Sequence, residues 1–390
     1  MATFDVLIVG GGIIGGSIAF ELARQKLRVL LLDRQQPGQE ASWAAAGGLT
    51  PSPETPDSIP LLPLARASLA LYSDYVAAVE EISGRTVEFR QDGALYAFFA
   101  PQAERELSTL VALHHGLGLP TEAISLDDAQ SLEPALNPAA GAAALLPDEG
   151  RVDNRALTEA VLAAAASSGA EIRSGVEVTS LLLEKNRCVG VGSRGKKIVG
   201  GQVVIAAGCY SASIEPLGRY APTRPVRGQM VALRSTKVRL GRSLRSERGY
   251  IVPRDDGRLI AGSTLENAGF EKCVTPAGLQ QILGAAVELV PALAEAAVVE
   301  TWSGLRPDTP DHLPILGPAD LEGLLIATGH YRNGILLAPI TAQLIRETVT
   351  ARCTSFPADT FSPLRFREHN LRSRSLEATS KWSARGSGGN

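Results

Sequence analysis

The sequence predicts an α/β fold combined with an α+β part: one mostly parallel sheet, interrupted by two insertions of antiparallel strands. Buried apolar strands stand near the start (Val6 to Val9), in the middle (Gln202 to Ile205) and near the end (Gly323 to Gly329) of the chain. Segments that read as antiparallel strands lie between them. At roughly 150 residues per domain, the 390 residues suffice for two or three domains.

Composition and charge exclude several classes of protein. The 38 Lys plus Arg against 41 Asp plus Glu give a net charge of −3, which argues against a nucleic-acid binder. Four scattered cysteines show no spacing typical of a metal site or a disulfide framework, so we expect no metal and a cytoplasmic location. The apolar stretch from Val6 to Phe20 is cut by five glycines and follows Asp5, so we expect neither a signal peptide nor a membrane span.

Residues 6–26 predict a strand, a glycine turn and a helix in direct succession. Gly10 permits the tight turn, Gly12 lets a pyrophosphate approach the backbone, and Gly15 lets the helix pack on the strand. The N-terminus of the helix from Ser17 offers unpaired N–H groups to phosphates. This order is typical of a dinucleotide-binding unit.

A second apolar strand, Arg28 to Leu32, ends in Asp33. Its carboxylate can accept hydrogen bonds from both hydroxyls of an adenosine ribose. An arginine there would have indicated a 2′-phosphate, so Asp33 argues against NADP.

The glycines alone do not separate NAD from FAD. Residues 35–63 are rich in Gly, Ala, Ser and Pro, where an NAD fold usually continues with alternating strands and helices. The small residues of 41–48 allow backbone to lie against a flat ring, which favours FAD. The alternative interpretation is a flexible surface loop.

The remaining periodicities predict further elements. Helices are expected at 64–82, 101–116, 155–167, 276–289 and 335–350; strands at 86–99 (broken at Asp92 and Gly93), 171–174, 176–183, 188–193, 202–205, 229–233, 250–253, 258–262 and 323–329; loops within 133–147; and a disordered tail at 371–390.

Several motifs occur together in one order. They are Val9 to Gly16 with Asp33, Ser42 to Leu49, Gly208 to Ser211, Tyr250 to Arg254, Gly304 to Pro307 and Gly329 to Leu336. On these motifs the chain resembles, from about Phe4 to Arg346, the D-amino-acid-oxidase-like FAD-dependent oxidoreductases, and within that family the glycine oxidase branch associated with thiamine biosynthesis.

The resemblance implies noncovalent FAD in a Rossmann-like domain of 1–85, 148–221 and 305–370, and a substrate domain of 86–147 and 222–304 built on an antiparallel sheet. It also implies a homo-oligomer, often a tetramer. The implied activity is oxidative deamination of glycine, with sarcosine or small D-amino acids as further substrates. A hydride passes to the flavin, and O2 accepts the electrons to give H2O2.

By position, the resemblance assigns the substrate contacts to Tyr250, Arg306 and Arg332. The cofactor residues, counting the glycine turn, are Gly10, Gly12, Ile13, Ile14, Gly15, Asp33, Arg34, Ala41, Ser42, Ala46, Gly47, Gly48, Val176, Gly208, His330, Tyr331, Arg332, Asn333, Gly334, Ile335 and Leu336.

Chemistry supports the substrate assignments independently. Arg306 stands between Gly304 and Pro307, which predicts a loop, and its donor fork can bind a carboxylate. Tyr250 can add a phenolic hydrogen bond. The structural alternatives are an ion-pairing arginine and a half-buried strand aromatic. The helix that follows Arg332 would direct its N-terminal dipole at the flavin, with Pro339 near the first turn.

Two positions depart from the pattern of glycine oxidases: Arg248 replaces a histidine and Leu265 a methionine. A cation near the pocket leaves the preferred amino acid open. No cysteine is close to Gly304 in the sequence, which disfavours covalent flavin. The alternatives are a D-amino-acid, sarcosine or proline dehydrogenase with another electron carrier, and a noncatalytic flavoprotein that assists assembly.

Overall fold

A computed structural model describes residues 4–53, 56–99, 101–351 and 353–366. The tail predicted at 371–390 lies outside these residues. Within the described ranges, no helix combines the length and apolarity needed to cross a bilayer. The helices are α1 Ile13–Arg24, α2 Ala41–Ala44, α3 Leu62–Ala70, α4 Tyr72–Ser83, α5 Ala103–Gly116, α6 Leu126–Leu132, α7 Asn154–Ser167, α8 Pro276–Leu289 and α9 Gly334–Thr350.

The strands form three sheets. In chain order they are β1 Phe4–Val9, β2 Val29–Leu32, β3 Gly48–Leu49, β4 Phe89–Arg90, β5 Ala94–Phe98, β6 Glu122–Ile124, β7 Ala142–Leu146, β8 Gly150–Val152, β9 Glu171–Arg173, β10 Ser180–Glu184, β11 Arg187–Ser193, β12 Lys196–Ile205, β13 Arg224–Arg234, β14 Ser243–Ser246, β15 Gly249–Pro253, β16 Arg258–Gly262, β17 Ala297–Asp308, β18 Ile315–Pro318 and β19 Leu324–Thr328.

The first sheet has a parallel centre built from the start, middle and end of the chain. Strands β9, β2, β1, β12 and β19 pair in parallel in that order. The prediction that strands from the start, middle and end of the chain share one sheet is confirmed, and the structure adds their order. Val6 and Ile8 pack on the side of α1, α7 and α9, while Leu7 and Val9 pack on the opposite side. The strand is therefore apolar on both faces because both faces are covered.

The second sheet combines the two insertions, in the order β17-β13-β16-β15-β14-β5-β7-β6. All its pairs are antiparallel except β5 with β14, where the two insertions meet. Helix α8 packs against one face. The other face carries Met230, Val252 and Trp302 and turns towards the first sheet. The fold class is confirmed; the domain boundaries stay a prediction, and the one after Gly304 falls within β17.

Three predicted elements are wrong in detail. The helix expected over 64–82 is two helices, because the N–H of Leu71 bonds to Ser68 three residues earlier and tightens the turn. The segment 133–147 is not all loop: its last five residues before Pro147 form β7, which pairs on both edges. The strand expected over 176–183 begins only at Ser180.

Arg306 lies on strand β17 and not in a loop. Gly304 and Pro307 read as loop residues, yet Pro307 pairs opposite Pro225 of β13 at the end of the ladder. Strand β17 is the edge strand of its sheet, and an edge tolerates proline because its outer side needs no ladder hydrogen bond.

Pro339 also differs from the expectation, since it stands inside α9 rather than in its first turn. Its ring nitrogen has no hydrogen to donate to the carbonyl of Ile335, four residues earlier. The hydroxyl of Tyr72 donates to that carbonyl instead, at 3.1 Å, and the hydroxyl of Ser68 donates to Leu336 at 2.6 Å. Helices α3 and α4 thus hold the start of α9 in place.

We expect Tyr72→Phe to destabilise the protein by about 1–3 kcal/mol, because a buried carbonyl loses its partner. In a Pro339→Ala background the helix regains the missing N–H, so the same substitution should cost clearly less. Chemical denaturation of the two single variants and the double variant measures this coupling. An equal cost in both backgrounds would contradict the account.

Candidate active site

A cavity of about 590 Å³ lies between the carboxyl ends of the parallel strands and the inner face of the second sheet. This volume is typical of ligand-binding pockets, and carboxyl strand ends are where such pockets form in parallel sheets. The cavity brings together the predicted site residues, with two exceptions. Gly15 and Leu336 do not line it.

The glycine turn after β1 forms one end of the cavity. Gly10 has φ +106°, and a Cβ there would overlap the carbonyl of Ala206 at the end of β12. A Cβ on Gly15 would overlap the carbonyl oxygen of Gly10, so Gly15 lets α1 pack against the turn. The N–H of Ile13 donates to the hydroxyl of Ser42 at 2.9 Å.

Asp33 lines the same end, with its carboxylate half engaged. It accepts hydrogen bonds from the N–H of Gly11 at 2.7 Å and of Gln35 at 2.9 Å. Burial raises the pKa of Asp33, while these two bonds act in the opposite direction. A carboxylate has about four acceptor positions, so capacity remains for ribose hydroxyls.

Arg34, next to Asp33 in the chain, is held by two contacts. Its guanidinium lies 3.4 Å from the centre of the Tyr210 ring and pairs with Glu40 at 2.6 Å. Tyr210 and Glu40 also line the cavity. Sequence analysis assigned a role to neither of them, although Tyr210 stands within the Gly208 to Ser211 motif, because their contact with Arg34 depends on the fold rather than on a local pattern.

The segment 41–48 is a fixed wall and not a flexible loop. Four side chains from α7, β17 and the end of β15 donate hydrogen bonds to its carbonyls. They are Asn154 to Ser42 (2.7 Å) and Trp43 (3.2 Å), Arg155 to Trp43 (3.2 Å), Trp302 to Ala44 (3.0 Å) and Arg254 to Ala46 (2.7 Å).

The turn before α9 forms another wall. His330 is buried with its Nε2 3.1 Å from the hydroxyl of Thr341, and burial lowers its pKa to about 3, so the imidazole is neutral at ordinary pH. Neither α9 nor α1 has a side-chain cap from its own N-cap residue, Asn333 or Gly12. The first residues of both helices line the cavity, so two positive helix ends face it.

Arg306 and Tyr250 lie together on the second sheet. Nη2 of Arg306 donates to the hydroxyl of Ser263 at 2.7 Å and Nη1 donates to the carbonyl of Thr264 at 3.1 Å. Burial and the charge of Arg332 lower the pKa of Arg306, while interaction with Tyr250 raises it. A guanidinium nevertheless stays protonated in proteins, so this end of the cavity is cationic.

Of the two departures from the pattern, Arg248 proves irrelevant to the cavity. Its side chain is 58% exposed, lies outside the lining and pairs with Glu288 at 2.8 Å. The expectation that Arg248 adds a cation near the pocket is therefore wrong. Leu265 does line the cavity, as an exposed side chain.

A buried ion pair in the lining was missed by sequence analysis. Arg245 donates to Glu149 at 2.6 Å, and both side chains are largely buried. Arg245 pairs opposite Tyr250 across β14 and β15, so both side chains point to the same face. Had the pairing of the two strands been known, this register would have placed Arg245 on the same face as Tyr250 and so indicated that Arg245 lines the cavity.

Two cysteines that are distant from Gly304 in the sequence lie near the site in space. Cys209 lines the cavity, and burial raises its pKa to about 12. Cys273 lies in a separate recess that Gly304 also lines. Among the described residues, no group of three or more His, Cys, Asp or Glu side chains could hold a metal ion.

Comparison with known proteins yields a family and several relatives. The model of the DAO family, FAD dependent oxidoreductase, matches residues 5–348. The bifunctional protein ThiO/ThiG of Synechocystis is 37% identical over 93% of this chain and 54% of its own length, so the chain spans about half of that relative.

Glycine oxidases are similar over nearly their whole length. The glycine oxidase of Geobacillus kaustophilus is 35% identical over 92% of this chain and 96% of its own. The crystal structure of a Geobacillus kaustophilus glycine oxidase superimposes with a TM-score of 0.86 at 34% identity, covering 92% of this chain and 98% of the other.

The residues of the cavity fit FAD. The α1 turn suits the pyrophosphate, Asp33 the ribose and the small residues of 41–48 a flat ring. The N-terminal end of α9 offers positive potential to the electron-rich edge of a flavin. These four features lie along one continuous cavity.

We expect the FAD to be noncovalent. The Cys209 thiol is protonated at ordinary pH, and a protonated thiol is a poor nucleophile. Acid precipitation of the purified protein should release FAD into the supernatant, and Cys209→Ser should behave identically. Yellow colour that stays with the precipitate would indicate a covalent bond.

Proposed function

The chain belongs to the DAO family of FAD-dependent oxidoreductases, and on this premise we propose that it catalyses the oxidative deamination of glycine. In the proposed reaction, glycine, water and O2 give glyoxylate, ammonia and H2O2. Sarcosine and small D-amino acids are further candidate substrates. The observation that carries the proposal is the pair Arg306 and Tyr250, placed in the same cavity as the dinucleotide turn.

The names of the relatives support the substrate class. Proteins called glycine oxidase align over 89–92% of this chain at 32–35% identity. The ThiO part of the cyanobacterial names supports a role in thiamine biosynthesis. The cytoplasmic location and the homo-oligomer, often a tetramer, stay predictions.

In the proposed mechanism, Arg306 binds the substrate carboxylate. A guanidinium presents parallel N–H groups that match the two oxygens of a carboxylate. Tyr250 adds a hydroxyl donor, and Arg332 lies close enough to Arg306 to influence its pKa. These groups orient the α-carbon; FAD, when bound, would accept a hydride from it.

No side chain is required to remove a proton if the substrate reacts with a neutral amine. Glu149 is engaged by Arg245, and burial makes His330 a weak base with a pKa of about 3, so the proposal assigns neither of them the role of a base. Catalysis then comes from position and electrostatics, which supply the larger part of many enzymatic rate enhancements.

Anaerobic addition of glycine should bleach the flavin with a saturable rate. Arg306→Lys should weaken glycine binding by about 1.5–3 kcal/mol, the scale of a lost charged hydrogen bond, and leave FAD bound. Stopped-flow absorbance measures the rate of flavin reduction, and the dependence of this rate on glycine concentration gives the affinity for glycine.

Arg248→Lys is the matched control, because Arg248 lies outside the cavity, and it should bind glycine as the wild type does. Unchanged glycine binding by Arg306→Lys would remove Arg306 from the carboxylate site. Flavin that stays oxidised with glycine, sarcosine, proline and D-amino acids alike would favour a noncatalytic flavoprotein. Bleaching without reoxidation by O2 would favour a dehydrogenase.

The rate of reduction at subsaturating glycine should rise with pH and then level off. An ammonium has no lone pair to form the C=N bond, so only the neutral amine reacts. Arg306 and Arg332 disfavour a further positive charge and should lower the pKa of the bound amine, which moves the plateau below the pKa of free glycine.

His330, with a pKa of about 3, adds no step between pH 5 and 9 on this account. Stopped-flow reduction across a pH series is the measurement. A rate that falls as pH rises through neutrality would contradict the neutral-amine mechanism.

A further inference from the structure

The Arg306 guanidinium rests directly on the backbone of the neighbouring strand. Gly228 of β13 pairs opposite Gly304 of β17, two residues before Arg306, so Arg306 is its diagonal neighbour. A Cβ placed on Gly228 would overlap Cζ, Nη1 and Nη2 of Arg306. The side chain can lie so close to the sheet only because position 228 has none.

Backbone geometry does not explain the glycine at 228. Its φ lies outside the left-handed region, and the three atoms nearest to the missing Cβ all belong to the Arg306 guanidinium. Gly10 is different, since its φ is positive and its missing Cβ would overlap backbone. An alanine at 228 therefore suits the local backbone and conflicts with the end of one long side chain.

The guanidinium is also fixed from its other side. Its two acceptors, on Ser263 and Thr264, belong to a segment held by a polar network. The N–H of Gln229 donates to the Thr264 hydroxyl at 2.9 Å, and the Gln229 amide donates to Glu266 at 2.7 Å. The guanidinium thus lies between the backbone of β13 at Gly228 and the two acceptors on Ser263 and Thr264.

Tyr250 is seated in a similar way. A Cβ on Gly262 of β16 would lie 2.6 Å from Sδ of Met230 and 2.9 Å from the hydroxyl of Tyr250. Gly262 pairs opposite both of these residues. Both side chains of the carboxylate site therefore occupy space that glycines on adjoining strands leave open.

We propose that Gly228 is a positioning residue that seats the Arg306 guanidinium low on the sheet and so sets where an α-carboxylate binds. This inference rests on the proposed function, which makes Arg306 the carboxylate ligand. With a methyl group at 228, the guanidinium is lifted away from Ser263 and Thr264 into the space of the carboxylate. The cost falls on carboxylate binding and not on FAD.

The test is acetate binding to FAD-loaded protein, measured by titration calorimetry. Gly228→Ala should raise the Kd for acetate about tenfold or more, because charged hydrogen bonds are lost. Bound FAD should be unchanged. Gly116→Ala is the matched control: it has an ordinary φ and no atom within 4 Å of the missing Cβ, so its Kd should equal that of the wild type.

The decisive comparison places Gly228→Ala in an Arg306→Lys background. Lysine ends in a single flexible ammonium group where arginine places three overlapping atoms in a rigid plane, and the ammonium can turn aside, so the effect of Gly228→Ala should fall below twofold there. Wild-type acetate binding by Gly228→Ala, or the same loss in both backgrounds, would overturn the inference.

Failure of the proposed function is separable from failure of the inference. If Arg306→Lys leaves acetate binding unchanged, the carboxylate site itself is wrong. If Arg306→Lys weakens binding and Gly228→Ala does not, only the role of Gly228 is wrong. Should Gly228→Ala fail to fold, a folded double variant supports the inference, and a double variant that also fails to fold overturns it.

Discussion

The buried guanidinium of Arg254 joins the two sheets, and the shape of the cavity depends on it. Arg254 directly follows β15, and its guanidinium donates hydrogen bonds to the carbonyl of Ala46 at 2.7 Å and to the side chain of Asn154 at 3.0 Å. The Asn154 amide donates in turn to the carbonyl of Ser42. The hydroxyl of Ser42 accepts a hydrogen bond from the N–H of Ile13, in the first turn of α1. A continuous chain of hydrogen bonds thus runs from the second sheet to the dinucleotide turn. Burial lowers the pKa of Arg254, with Asp153 acting in the opposite direction.

The electrostatics of the cavity follow from the same arrangement. The starts of α1 and α9 supply positive potential at two places, and Arg306 and Arg332 supply charge at a third. His330, which could have added another cation, is kept neutral by burial. The cavity therefore favours ligand groups that carry negative charge at these three places.

Local patterns predicted those parts of the fold that local chemistry determines. The turn around Gly10, the acid at Asp33 and helix α8 over 276–289 are legible in sequence because glycine, carboxylate and helical periodicity act within a few residues. Strand β17 could not be predicted in this way, because proline and glycine indicate a loop. A strand tolerates proline at the edge of a sheet, and the sequence does not show which strand lies at the edge.

Contacts made across the fold were equally inaccessible from sequence. Arg248 was expected near the pocket and Arg245 was not considered, yet the register of β14 with β15 turns Arg245 inwards, and Arg248 pairs with Glu288 outside the cavity. Strand alternation assigns a side chain to a face only after the strand and its partners are known. The resemblance to a family predicted that Arg306 and Tyr250 belong to one site, which the patterns of neighbouring residues alone could not predict.

The parallel pair of β5 and β14 has a consequence for biosynthesis. Tyr96 and Arg245, which lie opposite each other, are roughly 150 residues apart in the chain. On the ribosome, β5, β6 and β7 emerge long before the strand that completes their sheet, and β5 presents an open edge throughout that interval. Because β13 to β17 also follow in the chain, the second sheet cannot be completed until these later strands have been translated, and β5 can form its parallel pair only after β14 has emerged.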